Sequence, residues 1–196
     1  QDNLSSVTIP TPVTYIGDEA FNDCDMLTSL RFMGDGVTTI GRYAFAYCGR
    51  LVNLALPESL VSVGKGAFSH NTKLTAVELP SVTQVGDYAF GSSENLATIS
   101  LGQLTHIGEY AFFETAITEV PAFTAQTTIG RYAFAFSKIS VVQIPDGMEL
   151  AEGVFSECKN LQSVTIGNDV VVGKYAFAHD KDNIFTVESY NEDNEK

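Results

Sequence analysis

The chain has 196 residues and a mass of 21.2 kDa; 44% of its residues are apolar and 18% charged, which suits one ordinary domain or one modest repeat array. Acids outnumber bases 24 to 11, for a formal charge of −13 and a pI near 4.4, so nucleic acid and anionic membrane surfaces are disfavoured as partners: both recruit basic patches that so few cations cannot build. No stretch approaches twenty unbroken apolar residues, so the sequence contains no membrane-spanning helix.

Taken in chain order, the first element is Leu4-Ser5-Ser6-Val7-Thr8-Ile9-Pro10, a short strand by its alternation of apolar and polar residues, stopped by a proline that has no N–H to offer. Next comes a block of aliphatic, Gly, charged residue, any residue, Ala and Phe, first as Ile16-Gly17-Asp18-Glu19-Ala20-Phe21. It returns at Ile40 to Phe45, Val63 to Phe68, Val85 to Phe90, Ile107 to Phe112, Ile129 to Phe134, Leu150 to Phe155 and Val172 to Phe177, eight copies spaced by 21 to 24 residues. Each block precedes another strand half, as in Leu51-Val52-Asn53-Leu54-Ala55-Leu56-Pro57, Leu74 to Pro80, Leu96 to Leu101 and Leu161 to Ile166. The chain therefore opens inside a repeat, which implies either a longer array upstream or an atypical cap.

One such unit cannot fold alone. Ordering about 22 residues costs ~1–2 kcal/mol each in backbone entropy, more than six apolar side chains return at ~1.5–3 kcal/mol apiece. Stacking supplies the difference, so the repeat predicts a solenoid with Phe, Ala and Leu ladders inside and a parallel sheet whose rungs lie about 4.8 Å apart. The solenoid is expected over residues 1–187, a half repeat plus eight copies of about 22 residues, with 188–196 as an acidic tail or cap.

The unit Ile40-Gly41-Arg42-Tyr43-Ala44-Phe45-Ala46-Tyr47-Cys48-Gly49-Arg50-Leu51-Val52-Asn53-Leu54-Ala55-Leu56-Pro57 resembles the leucine-rich repeats of BspA-like surface proteins, also called the Treponema pallidum type, over nearly the whole chain. The resemblance implies an α/β-type repeat solenoid, a right-handed leucine-rich repeat superhelix with a parallel sheet of short strands on its concave face. It also implies a secreted or cell-surface location on a microbe and a role in adhesion to host or extracellular-matrix proteins. Val154 in place of Ala and Ala151 in place of Gly depart from the pattern, as do the fifth and sixth repeats, each one residue short between Phe and the next aliphatic.

The charged place of the block holds Asp18, Arg42, Lys65, Asp87, Glu109, Arg131, Glu152 and Lys174; a position that keeps charge while its sign varies reads as solvated. Its neighbour holds Tyr43, Tyr88, Tyr110, Tyr132 and Tyr175, either half-buried packing or a platform for sugar rings. Within the strands the outward positions give a candidate binding strip of Ser29, Arg31, Asn53, Glu78, Thr98, Ser100, Glu119, Gln143, Ser163 and Thr165. These residues are small, polar and sparsely charged, which suits a protein or glycan partner better than a small substrate. Phe113, Phe123 and Phe136 lie outside the phenylalanine ladder and form either an exposed apolar patch or a filling for the shortened repeats.

Cys24, Cys48 and Cys158 each fall three residues after the anchoring Phe, a place held elsewhere by Asn71, Ser93, Thr115, Ser137 and Asp180; it calls for a small buried side chain. A Cys24–Cys48 disulfide between adjacent rungs is conceivable, but three cysteines make no complete framework. His70, His106 and His179 lie in different repeats, and no zinc spacing, catalytic triad, phosphate loop or complete calcium loop emerges, Asp180-Lys181-Asp182-Asn183 lacking the residues that would finish one. The expectation is a non-enzymatic binding module without cofactor or metal, taking an extracellular protein or glycan. The alternative is a structural spacer in a larger surface protein with no ligand of its own.

Overall fold

The alternating half of each repeat forms a strand, and the two residues that enter each block form a second, shorter one. The computed structural model describes residues 3–178 and 186–189. In chain order the strands are β1 (Ser6–Ile9), β2 (Tyr15–Ile16), β3 (Ser29–Phe32), β4 (Thr39–Ile40), β5 (Asn53–Ala55) and β6 (Ser62–Val63). They continue with β7 (Ala76–Leu79), β8 (Gln84–Val85), β9 (Thr98–Leu101), β10 (His106–Ile107) and β11 (Thr128–Ile129). The last are β12 (Val141–Ile144), β13 (Glu149–Leu150), β14 (Ser163–Ile166), β15 (Val171–Val172) and β16 (Thr186–Ser189). Every pairing is parallel and joins equivalent residues of successive rungs. The long strands pair as β1-β3, β5-β7-β9 and β12-β14-β16; the short ones as β2-β4-β6-β8-β10-β11 and β13-β15.

The array is thus a β-solenoid of about eight turns with two runs of parallel sheet. The short-strand sheet was not anticipated, because two residues are too few to show an alternation. The α half of the expected α/β architecture is corrected: among the described residues there is no helix. The block itself explains why. Its fourth residue has φ near +55° in every copy, from Glu19 (57°) and Tyr43 (51°) through Tyr88, Tyr110 and Tyr132 to Tyr175 (61°), with glycine at 66 and 153. A second left-handed residue follows four places later, at Asp23, Tyr47, His70, Ser92, Glu114, Phe136 and Glu157. A left-handed residue breaks a right-handed helix and costs roughly 1–2 kcal/mol for a side chain other than glycine.

What these residues gain is a third ladder. Ala44 N–H closes a turn on the Gly41 carbonyl and Ala46 N–H on that of Tyr43, while the alternate N–H groups of Tyr43, Phe45 and Tyr47 donate to the carbonyls of Lys65, Ala67 and Ser69 on the next rung at 2.8 to 3.0 Å. Rungs approach so closely here that a Cβ on Gly108 would collide with the backbone of Gly86 and Asp87, which explains the glycine of the block.

The core follows the repeat. Phe21, Phe45, Phe68, Phe90, Phe112, Phe134, Phe155 and Phe177 stack ring on ring, with centroids 5.1 to 5.6 Å apart and planes within 12°. Six of these rings, Phe45 to Phe155, are fully buried, flanked by buried Ala44, Ala67, Ala89, Ala111 and Ala133 and by Val154 in the alanine place. The long-strand ladder breaks at residues 118–121, where no strand forms. Both shortened repeats lack the same residue, yet the second keeps its strand as β12; the first carries Pro121 opposite the position of Gln143 and has no N–H to give there.

Candidate binding surfaces

Strand register decides which outward residues share a surface. One column runs Asn53, Ala76, Thr98 and a parallel one Ala55, Glu78, Ser100; at the far end Val141 pairs with Ser163 and Gln143 with Thr165, and at the near end Thr8 with Arg31 and Ser6 with Ser29. Ser29, Arg31, Asn53, Glu78, Thr98, Ser100 and Gln143 are exposed, and Ser163 and Thr165 half-buried. The structure therefore gathers nine of the ten candidate strip residues on strands with side chains open to solvent. The tenth, Glu119, is exposed but lies in the strandless rung. Depressions flank that rung: one of about 190 Å³ between it and β9, lined by Thr98, Ile99 and Thr118, and one of about 440 Å³ against β12, lined by Val120, Pro121 and Val141. The strip is notched where the ladder fails.

The apolar patch needs correction. Phe123 is 8% exposed and packs on the core ring Phe134 with centroids 6.0 Å apart, so it fills the interior beside the strandless rung instead of facing solvent. Phe113 and Phe136 do meet, edge to face at 5.4 Å, but on the turn ladder, where Phe113 also contacts Tyr110. The row of charges is solvated and partly self-compensating: Arg131 lies 3.4 Å from Glu109 and 3.8 Å from Glu152, and Lys65 3.9 Å from Asp87. Exposed pairs of this kind contribute little to stability.

Beside the charges, Tyr88, Tyr110 and Tyr132 stack at 4.8 and 5.2 Å. The second left-handed column adds a pair that the repeat pattern does not single out: Tyr47 and His70 stack at 4.4 Å, both exposed. Their shared place two residues after the core Phe was the available signal. Between the two columns lies a cleft of about 400 Å³ lined by Tyr43, Tyr47, His70, Tyr88 and Phe113, with Lys65 and Ser92 at its edge.

Cys24, Cys48 and Cys158 are buried free thiols. Their column has a chemical purpose beyond size: it supplies donors to phenylalanine carbonyls that the ladder leaves over. Cys48 Sγ donates to the Phe21 carbonyl (3.2 Å), Asn71 Nδ2 to those of Phe45 (3.0 Å) and Phe68 (2.9 Å), Ser93 Oγ to Phe68 (3.0 Å), Thr115 Oγ1 to Phe112 (2.8 Å) and Cys158 Sγ to Phe134 (3.2 Å). Burial pushes the Cys48 thiol up to about 12 and raises Cys24 and Cys158 as well, so all three stay protonated and unreactive at neutral pH. His106 Nδ1 shares a hydrogen bond with Thr128 Oγ1 (2.9 Å), in a different rung from His70; His179 and the 180–183 loop lie outside the described residues. Among the described residues no group of three or more His, Cys, Asp or Glu side chains is placed to hold a metal ion.

The family described as BspA type leucine rich repeat region matches residues 1–112 and 70–184. Among solved structures, a leucine rich cell surface protein from Faecalibacterium prausnitzii A2-165 is similar at 29% identity with a TM-score of 0.67, over 89% of this chain and 58% of that one. The T. pallidum leucine rich repeat protein is similar in fold at 22% identity and TM-score 0.58, over 86% of this chain and 72% of that one. The chain thus spans less than two thirds of the length of the first of these proteins. No curated protein matches it at a significant level.

Proposed function

Because the chain belongs to the BspA-type leucine-rich repeat family, we propose that it is a non-catalytic binding module of a secreted or cell-surface microbial protein, and that its long-strand face adheres to an extracellular protein or glycan. The observation that carries this reading is the pair of outward columns, Asn53-Ala76-Thr98 and Ala55-Glu78-Ser100, held in register on a rigid ladder. Small polar side chains in such columns offer hydrogen bonds over a long strip without a deep pocket, which matches the extended contact of a macromolecule. Their rigidity lowers the ordering cost of association. The surface location is supported by similarity to the Faecalibacterium cell surface protein.

The test is a binding screen of the purified chain against matrix proteins and immobilised glycans, repeated with Arg31→Ala, Asn53→Lys and Glu78→Lys. Loss of capture in these variants with an unchanged melting temperature supports the strip. A clean negative with the unaltered chain favours a spacer with no ligand of its own.

A further inference from the structure

We propose that the cleft between the two left-handed columns of the turn ladder is a carbohydrate subsite that takes a neutral hexopyranose ring or a disaccharide of such rings. It is separate from the long-strand face and does not depend on that face binding anything.

The cleft exists because of omissions in an otherwise continuous row. The block column reads Tyr43, Gly66, Tyr88, Tyr110, Tyr132, and the three tyrosines from Tyr88 onward stack on one another. At Gly66 the row lacks a side chain, and the ring of Tyr43 leans over the glycine so closely that a Cβ there would collide with it. Tyr88 therefore ends its stack: one ring neighbours it on the Tyr110 side, while on the other side Lys65 Nζ lies over the ring, 5.9 Å from its centroid. The opposite wall is the stacked Tyr47–His70 pair. Ser69, Gly91 and Phe113 complete the lining together with Ser92.

Aromatic side chains stand here on a backbone that glycine adopts without strain, and glycine does occupy the same place at 66 and 153. Stacking within the row accounts for Tyr88, Tyr110 and Tyr132. It leaves one face of His70 and the Gly66-side face of Tyr88, under Lys65 Nζ, without a ring stacked on it, and both residues line the cleft.

The polar rim selects among ligands that use aromatic faces. Lys65 is compensated by Asp87 at 3.9 Å, and Ser92 Oγ donates to Glu114 Oε2 at 3.0 Å. An anionic ligand would find the one lysine of the lining already engaged by Asp87, on a chain of formal charge −13. A pyranose has one face of C–H groups that lies against an aromatic ring and a girdle of hydroxyls that both donate and accept, as the rim does. A volume of about 400 Å³ accommodates one to two such rings.

The experiment is saturation-transfer NMR on the full chain with lactose, cellobiose and N,N′-diacetylchitobiose. Two substitutions import residues that the same columns already carry: Tyr88→Gly, as at Gly66, and Tyr47→Ser, as at Ser92. Circular dichroism checks that each variant is folded, and either variant alone suffices if the other is not. The expected result is transfer to ring protons of at least one disaccharide, weakened at least tenfold by Tyr88→Gly or Tyr47→Ser. Tyr175→Gly, at the far end of the row, and the strip variants Asn53→Lys and Glu78→Lys leave it unchanged. Absence of transfer with all three sugars overturns the proposal, as does transfer indifferent to both cleft variants. Binding of the tripeptide Ala-Tyr-Ala in place of the sugars, with the same sensitivity to the variants, makes the cleft a peptide site and overturns it equally.

Discussion

Ser93 offers the sharpest test of why a small polar residue recurs three places after each core phenylalanine. It is fully buried; its hydroxyl donates to the Phe68 carbonyl at 3.0 Å and lies 3.3 Å from the Asn71 N–H, which donates to it. Ser93→Ala removes one donor and one acceptor. The Phe68 carbonyl keeps Asn71 Nδ2 at 2.9 Å, so the main loss is the stranded Asn71 N–H, sealed from water. An unsatisfied buried donor costs about 1–3 kcal/mol, and the net expectation for Ser93→Ala is a loss in that range. Ser93→Cys is predicted to recover most of it, because at Cys48 and Cys158 the sulfur accepts the backbone N–H of the residue one rung back, Cys24 and Ser137, and donates to the equivalent phenylalanine carbonyls at 3.2 Å. Urea unfolding followed by circular dichroism and tyrosine fluorescence measures both variants, with the denaturant slope checking that the transition itself has not changed. If Ser93→Ala matches the native chain, the column is selected for size alone; if Ser93→Cys falls as far as alanine, a thiol does not take over the hydroxyl's two hydrogen bonds and that part of the reasoning fails.

Phe90→Ala removes a fully buried ring stacked 5.5 Å from both Phe68 and Phe112, and a loss of about 3–5 kcal/mol in unfolding free energy is expected. Gly108→Ala should cost about 1–3 kcal/mol through a methyl forced against the backbone of Gly86 and Asp87, read as a lowered urea midpoint. The folded chain holds the Cys48 thiol neutral, with its titration raised from 9.0 to about 12, so the stability from that protonated form is complete below pH 9 and is lost as pH climbs toward 12. Unfolding curves between pH 8 and 11 should show this decline, and Cys48→Ser, which cannot ionise there, should make it shallower.

The repeat was legible because its signal is redundant: eight phenylalanines at nearly constant spacing fix the stacking of rungs, and alternation about Leu54 or Val77 fixes which residues turn inward. The strip residues followed from the same alternation. Three features were not legible. A strand of two residues such as Ser62–Val63 carries no period, so the second sheet was invisible. Apart from Gly66 and Gly153, the left-handed positions hold residues such as tyrosine, histidine and glutamate in place of the glycine or asparagine that announces such a turn, so an expected α segment proved to be a turn ladder. The fate of Phe123 depended on Pro121 breaking one rung and leaving interior space, a consequence of three-dimensional packing that spacing does not encode.

The central claim is that successive repeats stack in register around one column of rings. Aromatic NOE spectroscopy on a chain labelled at phenylalanine alone tests it directly. The rings of Phe45, Phe68, Phe90, Phe112, Phe134 and Phe155 should each show contacts to two ladder neighbours and connect into one unbroken series, as centroid separations of 5.4 to 5.6 Å for Phe45–Phe68 and Phe134–Phe155 require. Contacts that skip rungs, or rings with no aromatic neighbour, would contradict the stacked array and with it both proposed binding surfaces.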